Sequence, residues 1–199
     1  MEFFRRSPGK PGHLGVLPGT FNPMTIAHLA LMRAAAGQVD EVVLVMPRTF
    51  PHKTYTGASF EERVDMLCAA VGDDPKCSIA TTEGGLFVEI AEECRRAYGE
   101  RVRISFLCGR DAAERIVGWD YGRPGAVVEM FRQFDLLVAA RDGEYHPPTE
   151  LQDAVRRLHL AREFEQVSAS EVRGRISHGE PWEHLVPEAI HERVRKIYQ

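Results

Sequence analysis

Several features of common protein classes are missing from this chain, and each absence narrows its function. No apolar run approaches the roughly 18 residues of a transmembrane helix, so we expect no membrane partner. The four cysteines form no CxxC pair, which argues against a disulfide framework and favours buried thiols in a reducing cytoplasm. Acidic residues outnumber basic ones by 29 to 25. We therefore expect no nucleic-acid partner, whereas a small anionic ligand needs only a local group of cations.

Common catalytic and phosphate-binding motifs are absent as well. The sequence contains neither GxxxxGK[ST] nor GxGxxG, and its eight histidines are scattered rather than grouped with carboxylates, as a metal site requires. Residues 1–12 have no apolar stretch like that of a signal peptide, and we expect them to form a flexible arm. Residues 13–199 are enough for a single domain with a substantial core, as a monomer or a homo-oligomer.

Apolar runs and helical patterns alternate along the chain, which is typical of a parallel sheet. The predicted strands cover residues 13–17, 41–46, 76–82, 102–108, 135–140 and 164–167. The predicted helices cover residues 29–35, a segment that begins at a Ser59 capping box, and residues 86–98, 112–117, 148–160, 170–177 and 187–198. Because crossovers between parallel strands are right-handed, this order predicts an α/β fold: a doubly wound, mostly parallel, Rossmann-like sheet with helices on both faces and a small helical C-terminal region.

The most informative segment covers residues 19–28, which join the first predicted strand to the first helix. Gly19 and Thr20 begin a tight turn, in which a small side chain lets a phosphate approach the backbone. N–H groups at the start of the following helix attract anions, and His28 adds a protonatable donor. We interpret the segment as a cradle for a polyphosphate; the structural alternative for His28 is a hydrogen bond within the fold.

Further candidate residues follow other predicted strands, and ligands bind beyond the carboxyl ends of the strands in such a sheet. Lys53 lies in the loop after the second strand, Gly109 and Asp111 follow the fourth, and Arg141 follows the fifth. The positive side chains of Lys53 and Arg141 are suited to binding phosphates, and the carboxylate of Asp111 is suited to accepting hydrogen bonds from ribose hydroxyls. The structural alternatives are a solvated Lys53 and an Asp111 that caps the next helix.

Residues 168–173 follow the last predicted strand and open a helix. Ser168 and Ser170 can cap that helix, which is the structural alternative for both. The other N–H groups of the first turn would still face an anion, and the planar fork of Arg173 binds a phosphate at two points. Trp119 suits either stacking on a heteroaromatic ring or filling a corner of the core.

Residues 19–28 and 168–173 together resemble the (H/T)xGH and SxTxxR signatures of a nucleotidyltransferase superfamily. Within it, the chain is most similar to the nicotinate and nicotinamide mononucleotide adenylyltransferases. Residues 107–111 resemble their GxD segment, and Trp119 falls where they carry a tryptophan. The resemblance covers residues 13–199.

This resemblance implies transfer of the adenylyl group of ATP to a mononucleotide, with release of pyrophosphate, in NAD biosynthesis. It implies catalytic roles for His28, Lys53 and Arg173. It implies contacts to ATP or the acceptor for Gly19, Thr20, Phe21, Gly109, Asp111, Trp119, Arg141, Ser168 and Ser170. It implies no metal ligand from the protein, because Mg²⁺ keeps several waters and would be carried by the phosphates of ATP.

The chain departs from the family at residues 84–89. Bacterial nicotinate-specific members carry a Ser-Tyr-Thr type segment near this point, which contacts the pyridine ring. This chain has neither Tyr nor Thr there, so the acceptor does not follow from the resemblance. One alternative is adenylyl or cytidylyl transfer to another phosphorylated acceptor, such as phosphopantetheine. The other is a non-catalytic nucleotide-binding module on the same fold.

Overall fold

Strands and helices alternate through the computed structural model, which describes residues 1–49, 57–119, 121–139, 145–161, 164 and 167–199. In this part of the chain the strands are β1 (Glu2–Arg5), β2 (His13–Pro18), β3 (Glu41–Val45), β4 (Cys77–Thr81), β5 (Arg103–Gly109), β6 (Asp135–Ala139) and β7 (Val155–Leu158). The α-helices are α1 (Ile26–Ala35), α2 (Phe60–Val71), α3 (Phe87–Tyr98), α4 (Arg110–Gly118), α5 (Ala126–Met130), α6 (Ala169–His178) and α7 (His191–Tyr198). Short 3-10 turns lie at Thr149–Leu151, Glu183–Leu185 and Glu188–Ile190.

These strands join one sheet in the order β1-β4-β3-β2-β5-β6-β7. The pairs from β4 to β7 are parallel, and β1 runs antiparallel to β4. From β2 the chain adds β3 and β4 on one side, and β5, β6 and β7 on the other. The strand order therefore reverses between β2 and β5, where ligands bind outside the carboxyl ends of the strands. The predicted doubly wound α/β sheet is confirmed.

Helices cover both faces of the sheet, and the strands supply apolar side chains to each layer. Along β3, Val42 and Leu44 belong to one buried cluster, while Val43 and Val45 belong to the other, as the two-residue period of a strand requires. The first cluster includes residues of α1, α2, α6 and α7, and the second includes residues of α3, α4 and α5. None of the helices in the described ranges is both long and apolar enough to cross a membrane.

The register between β2 and β5 sets the two loops that follow them at the same level. Val16 pairs with Phe106 in the parallel ladder. Three residues further along each segment lie Gly19, directly after the end of β2, and Gly109, the last residue of β5. Two loops that begin side by side on neighbouring strands form the walls of the crevice at the point where the strand order reverses.

The segment predicted as a flexible arm contains a strand. Residues Glu2–Arg5 form β1, and Phe3 lies opposite Ala80 of β4. The ring of Phe3 packs edge to face against Tyr98, with the ring centroids 5.7 Å apart. An uncovered β4 would expose unpaired backbone groups along its edge. The prediction of a flexible arm is wrong for residues 2–5, because their pairing depends on a strand that is distant in sequence. The single domain at residues 13–199 stays a prediction.

The other edge of the sheet also differs from the prediction. The sequence predicts a helix at residues 148–160, but the structure has a 3-10 turn followed by β7, which is parallel to β6. Leu151, Val155 and Leu158 recur at helical spacing, which explains the wrong prediction. In the strand, Val155 is buried on one face of the sheet and Leu158 on the other. Pairing with β6 therefore buries both apolar side chains, one in each layer.

The strand predicted at residues 164–167 is wrong in its described part. Phe164 and Val167 lie outside the strands, and β7 occupies the place next to β6 instead. Val167 is nevertheless buried among the apolar residues of the first cluster. Its hydrophobic character therefore reflects packing in that layer rather than pairing in the sheet.

Helix boundaries follow the local signals in the sequence. The Ser59 hydroxyl accepts a hydrogen bond from the N–H of Glu62 at 3.1 Å, and the Glu62 carboxylate accepts one from the N–H of Ser59 at 2.7 Å. The predicted capping box at the start of α2 is confirmed. α3 ends at Gly99, whose φ of 110° favours glycine.

Candidate active site

The loop between β2 and α1 (residues 19–25, the β2–α1 loop) is shaped by the ring of Phe21. This residue has a φ of 46°, in the left-handed region, and its buried ring folds back against Gly19. A Cβ at position 19 would lie 2.9 Å from that ring, so the contact requires glycine. The N–H of Gly19 donates to the Val45 carbonyl oxygen at 2.9 Å. A phosphate would therefore meet the N–H groups that follow Gly19.

His28 lies in the first turn of α1, and Thr25 fixes its ring. Its Nδ1 accepts a hydrogen bond from the N–H of Thr25 at 3.0 Å and lies 2.8 Å from the Thr25 hydroxyl. A ring nitrogen that accepts an N–H carries no proton, so the neutral imidazole holds its proton on Nε2. The ring of Phe21 packs edge to face on that of His28, with the centroids 5.2 Å apart. His28 is therefore held as a hydrogen-bond donor through Nε2.

The start of α6 lies beside this loop. Ser168 is the N-cap of α6, and its hydroxyl accepts from the N–H of Glu171 at 3.1 Å. Arg173, one turn into the helix, donates through Nη1 to the carbonyl oxygen of Asn22 at 2.5 Å and through Nη2 to the Ser170 hydroxyl at 3.3 Å. The structure thus brings together the two segments that the sequence singled out, residues 19–28 and 168–173.

The helix α4 begins directly after β5, the strand next to β2 in the sheet, and we take it as the second wall of the site. Gly109 is its N-cap, and a Cβ at that position would meet no atom within 4 Å, so the backbone there is accessible to a ligand. Asp111 and Trp119 line one open cleft of about 640 Å³ (the α4 cleft). Trp119 is 58% exposed, which excludes the alternative in which it fills a corner of the core.

Two predicted site residues, Lys53 and Arg141, lie outside the described residues. Their roles stay predictions. Cys108, directly before Gly109, is described and buried, and burial raises the pKa of its thiol to about 12. A thiol with so high a pKa is a poor nucleophile at neutral pH, so the cysteine at this wall does not suggest covalent catalysis.

Three residues next to the site were missed by the sequence analysis: Asn22, Arg63 and Tyr198. Arg63 is only 5% exposed, and it donates through Nη1 to the carbonyl oxygen of Thr20 at 3.0 Å. Tyr198 donates through its hydroxyl to Oδ1 of Asn22. One signal for Arg63 was available, because a charged residue at a core-facing position of an amphipathic helix needs a specific partner.

Together these contacts orient the β2–α1 loop. The carbonyl of Thr20 is turned toward the buried Arg63. In a trans peptide the C=O and the following N–H point in opposite directions, so the N–H of Phe21 faces away from Arg63. Two guanidinium groups, those of Arg63 and Arg173, lie against the loop, and positive charge in a partly buried setting favours a nearby anion. The arrangement suits binding of a polyphosphate.

Sequence comparison identifies the class of protein to which this site belongs. A model of the cytidylyltransferase-like family matches residues 16–175, and the chain belongs to this family. The matched range includes the β2–α1 loop, α4 and the Arg173 segment. The resemblance to the nucleotidyltransferase superfamily, predicted from its two signatures, is confirmed.

The names of individual relatives are more specific than the description of the family. The chain is 28% identical over 201 residues to a protein of Moorella thermoacetica named "Probable nicotinate-nucleotide adenylyltransferase", covering 94% of this chain and 90% of the relative. A Stenotrophomonas maltophilia protein of the same name is 29% identical over 203 residues, covering 88% of this chain and 91% of the relative. The solved structure of Plasmodium falciparum nicotinic acid mononucleotide adenylyltransferase complexed with NaAD has a TM-score of 0.69 at 16% identity, covering 92% and 95% of the two chains. The structural likeness shows a shared fold.

Proposed function

We propose that this protein transfers the adenylyl group of ATP to nicotinate or nicotinamide mononucleotide, with release of pyrophosphate, as a step of NAD biosynthesis in the cytoplasm. The observation that carries the proposal is the meeting of His28 and Arg173 at the β2–α1 loop, which follows the strand next to the one that leads into α4. The names of relatives that cover most of the chain support this acceptor class. The free cysteines support a reducing compartment.

The reaction needs positioning more than acid–base chemistry. An oxygen of the acceptor phosphate attacks the α-phosphorus of ATP and forms the new P–O bond. The bond from the α-phosphorus to the oxygen that bridges to the β-phosphorus breaks, and pyrophosphate leaves with its electron pair. A phosphate monoester is largely ionised at pH 7, so no strong general base is required. Two polyanions repel each other, and the protein must hold them together and neutralise charge.

The β2–α1 loop and its neighbours would perform this task. His28 would donate from Nε2 to an oxygen of the α-phosphate, where charge develops in the transition state. Arg173 and Lys53 would neutralise the remaining phosphate charge. The N–H groups that follow Gly19, that of Phe21 among them, would cradle the phosphates. Ser168 and Ser170, at the start of α6, would place the phosphate chain against the first turn of that helix.

The α4 cleft would bind the nucleoside part of ATP. Asp111 would accept hydrogen bonds from ribose hydroxyls, Gly109 would let the ribose approach the backbone, and Trp119 would stack on the base. Arg141 would contact the phosphates or the acceptor. Mg²⁺ would enter with ATP, held by phosphate oxygens and water. The donors that meet at the loop are cationic or neutral, which fits a metal bound by the substrate.

An acceptor screen tests this function. Purified protein is incubated with ATP and Mg²⁺, or with CTP and Mg²⁺, and with nicotinate mononucleotide, nicotinamide mononucleotide or phosphopantetheine, and pyrophosphate release is measured. We expect release with ATP and a pyridine mononucleotide, and release slower by about 10²–10³ from H28A. Release only with phosphopantetheine as the acceptor, or only with CTP in place of ATP, would assign the protein to another branch of the family. Binding of ATP without turnover on any acceptor would identify a non-catalytic module.

A further inference from the structure

The side chain and the backbone of Asn22 are both held by residues distant in sequence. Asn22 is only 5% exposed. Its carbonyl oxygen accepts from Arg173 at 2.5 Å, and its Oδ1 accepts from the hydroxyl of Tyr198, 176 residues further along the chain. α7, which carries Tyr198, is therefore tied to the same residue as the phosphate-binding arginine of the proposed function.

The ring of Tyr198 packs against the backbone of Gly57. At this glycine φ is +104°, and a Cβ would lie 2.9 Å from Cε1 of Tyr198 and 3.4 Å from Oδ1 of Asn22. The aromatic ring therefore lies directly against backbone, with no room for a side chain between them. The hydroxyl has little freedom to leave Asn22 while the ring stays in this place.

The Tyr198 hydroxyl is a donor throughout the neutral pH range. Burial raises its pKa to about 12, although Arg173, a hydrogen bond from the backbone N–H of Ala58 and Arg63 act in the opposite direction. A protonated hydroxyl has one proton to give, and the structure directs it to Oδ1 of Asn22. The interaction is thus a neutral hydrogen bond in a largely buried place, where an unpaired Oδ1 would be costly.

We propose that Tyr198 is a positioning residue for ATP: through Asn22 it holds the β2–α1 loop and the guanidinium of Arg173 in the arrangement that receives the phosphates. Tyr198 itself touches no reacting atom. It acts on the phosphate side of the site and has no role in binding the acceptor ring. The assignment rests on the proposed function, since it takes the β2–α1 loop as the phosphate-binding element.

The variant Y198F tests the assignment, because it removes the hydroxyl and keeps the ring against Gly57. We expect kcat/KM for ATP to fall about tenfold and ATP affinity, measured by calorimetry, to weaken by a similar factor, with KM for the acceptor changed less than about twofold. The matched control is Y98F. Tyr98 donates to the buried Glu41 carboxylate at 2.6 Å, at the amino end of β3, so its loss lowers stability without changing ATP affinity.

A double-mutant cycle separates positioning from general destabilisation. Y198F in an N22A background should cause little further loss of ATP affinity, because the partner that remains to the hydroxyl, the backbone N–H of Ala58, lies outside the β2–α1 loop. ATP affinity of Y198F equal to that of the wild type, or an equal loss in Y98F, would overturn the assignment. Should Y198F fail to fold, N22A alone is measured, and unchanged ATP affinity there overturns it as well. A wild-type protein that binds ATP but releases no pyrophosphate contradicts the proposed function instead, and the affinity comparison remains decisive for Tyr198.

Discussion

The two walls of the proposed site differ in how firmly the protein holds them. In the β2–α1 loop, Thr20, Asn22 and Thr25 all form hydrogen bonds to groups that fix the backbone, and Phe21 is buried. The α4 cleft instead presents exposed side chains, with Trp119 at 58%. Adenylyl transfer tolerates little displacement of the reacting groups. The base and the ribose of ATP can instead be bound by surface residues that become ordered when the ligand binds. Loss of His28, the group of the firm wall (the β2–α1 loop) proposed to act on the α-phosphate, should therefore chiefly affect turnover. Substitutions in the open wall (the α4 cleft) should chiefly affect affinity for ATP.

The largest effect is expected from H28A, in the firm wall. It removes the Nε2 donor proposed for the α-phosphate, and loss of such a donor costs about 10²–10³ in kcat. Pyrophosphate release under saturating substrates measures kcat, and circular dichroism checks the fold. A purified, folded H28A with turnover close to that of the wild type would rule out the catalytic role.

A smaller loss is expected from R173A. Hydrogen bonds to charged groups contribute about 1.5–3 kcal/mol, so kcat/KM for ATP should fall about 10- to 100-fold. R173K keeps the charge but loses the two-point fork and should recover only part of the activity. Initial rates across ATP concentrations distinguish the variants, and an R173K as active as the wild type would show that charge alone matters.

The open wall is tested by W119A. Stacking of a base on an aromatic ring contributes about 1–3 kcal/mol, so KM for ATP should rise roughly 5- to 100-fold while kcat changes little. W119F, which keeps an aromatic face, should lose much less. If W119A lowered kcat and left KM unchanged, the contrast between the two walls would not hold.

The smallest effect is expected from S168A, at the start of α6. Loss of an N-cap costs about 1 kcal/mol of stability, which urea unfolding can measure, and KM for ATP should rise by less than about threefold. A loss of ATP affinity much larger than that, without loss of stability, would mean that Ser168 acts mainly through the ligand rather than through the cap at Glu171.

Local signals in the sequence predicted the elements that depend on neighbouring residues. The Ser59 capping box set the start of α2, and the continuous apolar run of β3 marked a strand buried on both faces. β1 was missed because it depends on pairing with β4, which is distant in sequence, and β7 because its apolar residues recur at helical spacing. Secondary-structure propensity is a weak signal in short segments, and strand pairing at the edge of a sheet can override it.

The residues of the candidate site also divide into those indicated by local sequence motifs and those that only the tertiary structure shows. Gly19, His28 and Arg173 could be found because each belongs to a motif of closely spaced residues. The contacts of Arg63 and Tyr198 could not, since these residues reach the β2–α1 loop from 43 and 176 residues away, and the signal at Arg63 indicates only that a partner is needed. Their hydrogen bonds go to a carbonyl oxygen and to an amide side chain, and neither leaves a pattern in the sequence. The tertiary structure was needed to show that the loop is held from outside its own motif.

The contact between Asn22 and Tyr198 also bears on how the protein is made. The loop that contains Asn22 is synthesised before its hydroxyl partner, which is 176 residues further along. Contacts of such long sequence separation form late, because the intervening chain must be ordered first. The β2–α1 loop can therefore gain this hydrogen bond only after all seven strands of the described sheet, the last of which ends at Leu158, have been synthesised.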